Sequence, residues 1–141
     1  MKKALVLVLA AGFTAAAHAD ILATESFSYP DGNLVGNSGN SWIGHSAPGV
    51  TPVQVSGGAA VLNQGSGSRE DANLPFSEVL SGDVFAAFDF TVTGGNSSVY
   101  FAHFKDAGTT FRSRVFVTAG TQGGDYTVGF ADVSSVAATW G

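Results

Sequence analysis

Residues 84–93 carry the clearest pattern of hydrophobic and polar positions in the chain. Every second position is apolar, and the positions between them include Asp89, Thr91 and Thr93. Successive side chains of a β-strand point to opposite faces, so this period of two predicts a strand with one buried face. The apolar positions are Val84, Ala86, Phe88, Phe90 and Val92.

Three further segments that follow in the chain predict strands. Residues 98–104 are apolar on both faces, which indicates a central strand or a strand whose outer face is covered. Residues 111–118 alternate, and residues 125–131 place Tyr126, Val128 and Phe130 on an inward face. Together with 84–93 they predict a four-stranded antiparallel meander. The predicted turns are residues 94–97 and 120–124, both rich in glycine.

The first half of the chain has a weaker pattern. Residues 21–27 indicate a strand, and residues 53–55 and 59–62 indicate a hairpin around a Ser-Gly-Gly turn. Residues 29–49 hold most of the turn-forming residues and predict a long surface loop, which Trp42 and Ile43 anchor to the core. No helical periodicity follows Asp20. Many short strands without helices predict an all-β fold, an antiparallel β-sandwich or jelly roll.

The N-terminus has the features of a secretory signal peptide. Lys2 and Lys3 precede a short apolar run at residues 4–12, and residues 17–19 (Ala-His-Ala) form a small-residue cleavage site. A membrane anchor is the alternative, but the run is shorter than the roughly 20 residues that span a bilayer. We therefore expect a signal peptide at 1–19, a single domain at 20–141, and a secreted, extracellular or cell-envelope location.

Charge and cysteine content exclude several classes of function. Loss of the leader leaves four basic and eleven acidic residues, a formal charge of −7, which argues against nucleic-acid and anionic-membrane partners. The chain contains no cysteine, so it offers no disulfide, zinc–thiolate site, cysteine nucleophile or lipid-modified cysteine. No second long apolar segment follows the leader, so no membrane span is expected in the mature chain.

The chain resembles concanavalin A-like (LamG-type) jelly-roll proteins over about residues 23–141, and five stretches carry the resemblance. They are residues 25–36, 39–42, 82–90, 100–106 and 111–117. These relatives are secreted bacterial proteins, and many carry a PEP-CTERM sorting tail. The resemblance implies further strands and, in many members, such a tail. It therefore predicts that 20–141 is the N-terminal portion of a larger jelly roll. A naturally short form, which associates with itself or a partner through an uncovered sheet edge, is the alternative.

A binding face is predicted around Arg112 and Arg114. Alternate positions of one strand put both guanidinium groups on the same side, where Tyr100 and His103 would help them to hold an acidic sugar or polyanion. Trp42, from the long loop, is a further candidate for ligand contact. Salt bridges to the many surface acids are the alternative use of the two arginines. His45 and His103 are too far apart in the chain to predict a metal site.

Acidic residues give weaker signals. Glu70, Asp71 and Asn73 form an oxygen-rich cluster that makes calcium a candidate ligand, with a solvated loop as the alternative; no other cofactor is predicted. Asp31 and its neighbours indicate a β-turn. Some relatives of this fold cleave glucans with paired carboxylates, but the pattern Glu-x-Asp-x-x-Glu does not occur in the chain. We therefore expect no enzyme activity.

Two functions fit these observations best. The first is a non-catalytic secreted module that binds carbohydrate or another extracellular polymer. The second is a structural protein of the cell envelope or matrix without a specific ligand. A secreted glycan hydrolase is a third alternative, which the missing acid pair disfavours.

Overall fold

The computed structural model describes residues 20–64, 67–94, 99–120, 126–135, 137 and 139–140. The predicted signal peptide and most of the two predicted glycine-rich turns lie outside these residues. The elements, in chain order, are β1 (Gly32–Asn33), α1 (Leu34–Asn37), β2 (Ile43–Ser46), β3 (Gln54–Ser56), β4 (Ala59–Val61), β5 (Asp71–Asn73), β6 (Val99–Lys105), β7 (Phe111–Ala119), β8 (Tyr126–Ala131) and β9 (Thr139–Trp140).

All strand pairs in the described residues are antiparallel, and they form three sheets. Their strand orders are β1-β3-β4, β2-β5 and β6-β7-β8-β9. The prediction of an all-β fold is therefore confirmed. No helix in the described residues is long and apolar enough to cross a membrane.

The predicted hairpin in the first half of the chain is confirmed. Gln54 of β3 pairs with Val61 of β4, and the turn between these strands contains Gly57 and Gly58. Both glycines have positive φ angles, 57° and 77°, which residues with a Cβ adopt less readily. Here local sequence was enough to set the fold, because a two-strand hairpin needs only a turn and two neighbouring strands.

The long surface loop predicted at 29–49 contains short elements instead. The one-turn helix α1 begins after Asn33, whose side-chain oxygen accepts a hydrogen bond from the backbone N–H of Gly36 at 3.3 Å. Leu34 in this turn is almost fully buried. Ile43 lies exposed in β2, so the prediction that it anchors the segment to the core is wrong. The strand predicted at 21–27 is also absent.

Three strands of the predicted meander are confirmed as β6, β7 and β8. The prediction of a first strand at residues 84–93 is wrong. Residues 84–93 form no strand, although the rings of Phe88 and Phe90 lie 5.9 and 5.1 Å from the ring of Phe101 in β6. The alternation therefore identified side chains that contact the sheet. It did not ensure a hydrogen-bonded ladder, which requires a partner strand in register.

The buried face of β8 is the opposite of the one predicted. Thr127, Gly129 and Ala131 are buried, whereas Tyr126 and Phe130 are exposed. Gly129 pairs with Phe116 of β7, whose side chain has 0 % exposure. Because glycine lacks a side chain, it leaves room for the Phe116 ring on the face where the sheet is covered.

The strand pair β6–β7 is irregular in the first half of β7. Its register shifts between Tyr100 and Phe104, and Ser113 has a φ angle of 48° in the left-handed region. A left-handed residue within a strand interrupts the alternation of side chains. This irregularity determines which residues of β7 face the candidate site.

Candidate functional site

Five residues from three strands form a compact group, which we call the imidazole cluster. They are His45 of β2, Tyr100 and His103 of β6, and Phe111 and Arg114 of β7. The His103 and Phe111 rings lie 4.4 Å apart, and the Tyr100 and His103 rings 5.4 Å apart. The structure thus brings together three of the predicted site residues, Tyr100, His103 and Arg114.

Arg114 lies inside this cluster. Its guanidinium carbon is 5.0 Å from the centre of the Tyr100 ring and 5.1 Å from that of Phe111, which are distances for cation–π contact. Its Nη1 donates a hydrogen bond to the carbonyl oxygen of Val133 at 2.6 Å. Arg114 is only 9 % exposed, so most of its side chain stabilises the protein interior.

Arg112 has different surroundings. Its side chain is 53 % exposed, and its Nη1 lies 3.8 Å from a carboxylate oxygen of Asp132. Phe111, rather than Arg112, is in contact with the Arg114 guanidinium group, because the left-handed Ser113 interrupts the alternation between them. Arg112 and Arg114 therefore have different surroundings, and the prediction that the pair holds a ligand from one side stays untested. The alternative, a salt bridge between Arg112 and a surface acid, is what the structure contains.

The two histidines are close in space despite their separation in the chain. The rings of His45 and His103 are 6.0 Å apart and nearly perpendicular. Burial lowers the pKa of each histidine, although the carboxylate of Asp71 acts in the opposite direction. Burial likewise raises the pKa of the Tyr100 hydroxyl, as does Asp71. The chain separation of the two histidines, from which no metal site was predicted, gave no indication of this contact between β2 and β6.

Trp42 makes a separate set of contacts. Its ring stacks on Phe27 at 5.8 Å, and its Nε1–H donates a hydrogen bond to Glu25 at 2.7 Å. The same carboxylate accepts hydrogen bonds from the Tyr29 hydroxyl at 2.8 Å and the Phe27 backbone N–H at 2.6 Å. Trp42 therefore does anchor its segment, but to residues 25–29. Glu25 was missed by sequence reasoning because one of its donors, Trp42, lies 17 residues away in the chain.

Acidification should release the Trp42 side chain. Burial alone would raise the pKa of Glu25, but the donors of Trp42, Phe27 and Tyr29 outweigh it and hold the pKa below 4.5. The stabilisation is therefore present above pH 4.5 and is lost as pH falls through the lowered pKa. We expect the indole N–H resonance of Trp42 to move below pH 4.5 and to be displaced at neutral pH in Glu25→Gln. Glu78→Gln, at an exposed position, is the control, and an identical resonance in all three proteins would contradict the assignment.

The acidic cluster of Glu70, Asp71 and Asn73 lies at strand β5 rather than in a solvated loop. The carboxylates of Glu70 and Asp71 have separate roles. Glu70, just before β5, is buried and accepts hydrogen bonds from the backbone N–H groups of Gly49 at 2.7 Å and Val53 at 3.3 Å. The negative charge of Asp71 favours the protonated form of His45 and His103 and so opposes the effect of burial on their pKa. No group of three His, Cys, Asp or Glu residues that could hold a metal occurs in the described part of the chain. Calcium binding stays an untested prediction.

An open cleft of about 410 Å³ lies beside the cluster, at β7, β8 and β9. Phe130 is 55 % exposed and provides an apolar surface. Asp132, whose carboxylate contacts Arg112, contributes negative charge. Sequence reasoning missed this cleft because it placed Phe130 inward and predicted no pairing for β9. The lining residues are Ser113, Arg114, Phe130, Ala131, Asp132 and Thr139.

Comparisons of the chain with protein-family models, curated proteins and solved structures found no match. The resemblance to concanavalin A-like proteins therefore stays a prediction from the sequence, and function has to be argued from the geometry of this chain.

Proposed function

We propose that this protein is a non-catalytic, secreted β-module that binds a carbohydrate or another extracellular polymer in the cleft beside β8. The observation that carries the proposal is an exposed aromatic ring, Phe130, next to polar side chains that could donate and accept hydrogen bonds. Ligand sites commonly combine an apolar surface with a few convergent polar groups. The polar residues that line this cleft are Ser113, Arg114, Asp132 and Thr139.

The choice of ligand follows from the chemistry of the cleft. A sugar ring has apolar C–H faces that can lie on an aromatic ring, and hydroxyl groups that can bind a carboxylate or a hydroxyl. The Arg112–Asp132 pair at 3.8 Å is solvent-exposed and therefore available to exchange partners. From the sequence pattern, we also propose that the module has a β-sandwich or jelly-roll arrangement. Its export would depend on the signal peptide predicted at 1–19.

The test is a glycan array followed by titration calorimetry with the purified chain. We expect saturable binding that Phe130→Ala weakens at least about tenfold, because the aromatic contact surface is lost. Phe85→Ala is the matched control, since Phe85 is 85 % exposed and lies outside the cleft. Binding that both variants weaken equally, or an array without any saturable signal, would contradict the proposal.

The second candidate is a structural protein that assembles with itself. Several large apolar side chains outside the cleft are exposed, among them Ile21, Leu80 and Phe85. Exposed apolar surface of this kind favours association. Concentration-dependent association in sedimentation experiments, together with an empty glycan array, would favour this alternative over the binding module.

A further inference from the structure

The imidazole cluster also joins two sheets. His45 belongs to the two-stranded sheet β2-β5, whereas His103 and Phe111 belong to the four-stranded sheet. The His45 ring lies 6.0 Å from the His103 ring and 5.6 Å from the Phe111 ring. Packing between these rings therefore holds β2 against β6 and β7.

In the charged form of His45, the N–H at Nε2 lacks an acceptor in the described part of the chain. Its Nδ1 shares a hydrogen bond with the Ser46 hydroxyl at 3.2 Å. Its Nε2 is buried and has no hydrogen-bond partner in the described part of the chain. A charged imidazole carries an N–H on both nitrogens, so protonation leaves a buried donor or a buried charge without an acceptor.

The charges around the two histidines disfavour double protonation. The Asp71 carboxylate of β5 favours a charged imidazole, whereas Lys105 of β6 and Arg114 of β7 oppose it. Tyr100 of β6 is uncharged at neutral pH, because burial raises the pKa of its hydroxyl. Protonation of both rings would gather four positive charges around one carboxylate. Because the rings are 6.0 Å apart, each charge also disfavours the other.

We propose that the His45–His103 contact is an acid-sensitive junction, which holds the two-stranded sheet on the four-stranded sheet at neutral pH and releases it when the imidazoles become protonated. The proposal is independent of the carbohydrate-binding function, since it concerns the contact between sheets and not the cleft.

The sign of the pH dependence follows from the environment of the rings. Burial lowers the pKa of both histidines below 6.5 in the folded protein, so the unfolded chain binds more protons as pH falls. The stabilisation is therefore complete above pH 6.5 and is lost as pH falls through the lowered pKa values. The carboxyl groups with shifted pKa, Glu25 and Asp106, are shifted downward and titrate below this window.

NMR of the unmodified protein gives the direct test. We expect both imidazole titrations to have midpoints below 6.5, and the nuclear Overhauser effects between His45 and Phe111 to be lost at the acid end of the same titration. Midpoints at or above 6.5, or ring contacts that persist after both histidines are charged, would overturn the proposal. This measurement needs no variant and so does not depend on the folding of one.

Urea unfolding between pH 7 and 5 supplies the second test. We expect the unfolding midpoint to fall with pH in the unmodified protein, and to be constant in the double variant His45→Phe/His103→Phe, which keeps the rings but cannot be protonated. Glu78→Gln, which removes a titratable group from an exposed position, is the control and should retain the full pH dependence. A double variant that retains the pH dependence, or a control that loses it, would contradict the proposal.

Discussion

Replacing Phe116 with alanine is expected to give the largest loss of stability of any single substitution in this protein. Phe116 has 0 % exposure, lies in the middle of β7, and contacts the Tyr100 ring at 5.8 Å. Removing a buried phenylalanine typically costs about 3–5 kcal/mol, because apolar contacts are lost and a cavity remains. The opposite position on β8 is Gly129, which has no side chain to fill the space.

This loss is a large share of the 5–15 kcal/mol that typically separates folded from unfolded domains. Urea denaturation measured by circular dichroism should show a lower midpoint for Phe116→Ala, or no folding transition at all. Phe85→Ala removes the same atoms from an exposed position and should change stability by no more than about 0.5 kcal/mol. Equal effects of the two substitutions would show that Phe116 is not in the core.

Replacing Glu70 with alanine is expected to be the second most damaging change. The Glu70 carboxylate is only 5 % exposed and accepts hydrogen bonds from the backbone N–H groups of Gly49 and Val53. Alanine removes the acceptor, and a buried donor left without a partner costs about 1–3 kcal/mol. Because Val53 is half-buried and Gly49 is exposed, we expect a loss of about 1–3 kcal/mol and faster hydrogen exchange at both backbone amides.

Two variants provide the comparison for Glu70. Glu70→Gln keeps one acceptor oxygen, so it should lose less stability than Glu70→Ala. Glu78→Ala removes a carboxylate from an exposed position and should leave the unfolding midpoint nearly unchanged. If Glu70→Ala is as stable as the Glu78 control, the hydrogen bonds from Gly49 and Val53 do not hold the segment before β3.

The cleft and the imidazole cluster show different limits of sequence reasoning. Alternation in residues 125–131 correctly predicted the strand β8 but assigned the wrong face to Phe130. A period of two gives two faces, and the sequence of one strand does not say which is covered. Here the deciding feature lies on the neighbouring strand, where the bulky Phe116 occupies the space above Gly129.

Long-range pairing produced the contacts that local patterns could not predict. Ser46 of β2 pairs with Asp71 of β5, and the neighbouring His45 ring packs against His103 of the larger sheet. The separation of these residues in the chain gave no indication of their distance in space. Conversely, the strong alternation of residues 84–93 did not yield a strand, because a ladder requires a partner as well as a pattern.

The sequence by itself determined the all-β class, the hairpin β3–β4 and the order of β6, β7 and β8, since these depend on alternation and on turns between neighbouring segments. Only the tertiary structure decided that Arg114 is buried while Arg112 is exposed, and that the two histidines meet. Those outcomes depend on a backbone irregularity at Ser113 and on pairing between distant strands. Both arise from packing of the whole chain, which no local pattern records.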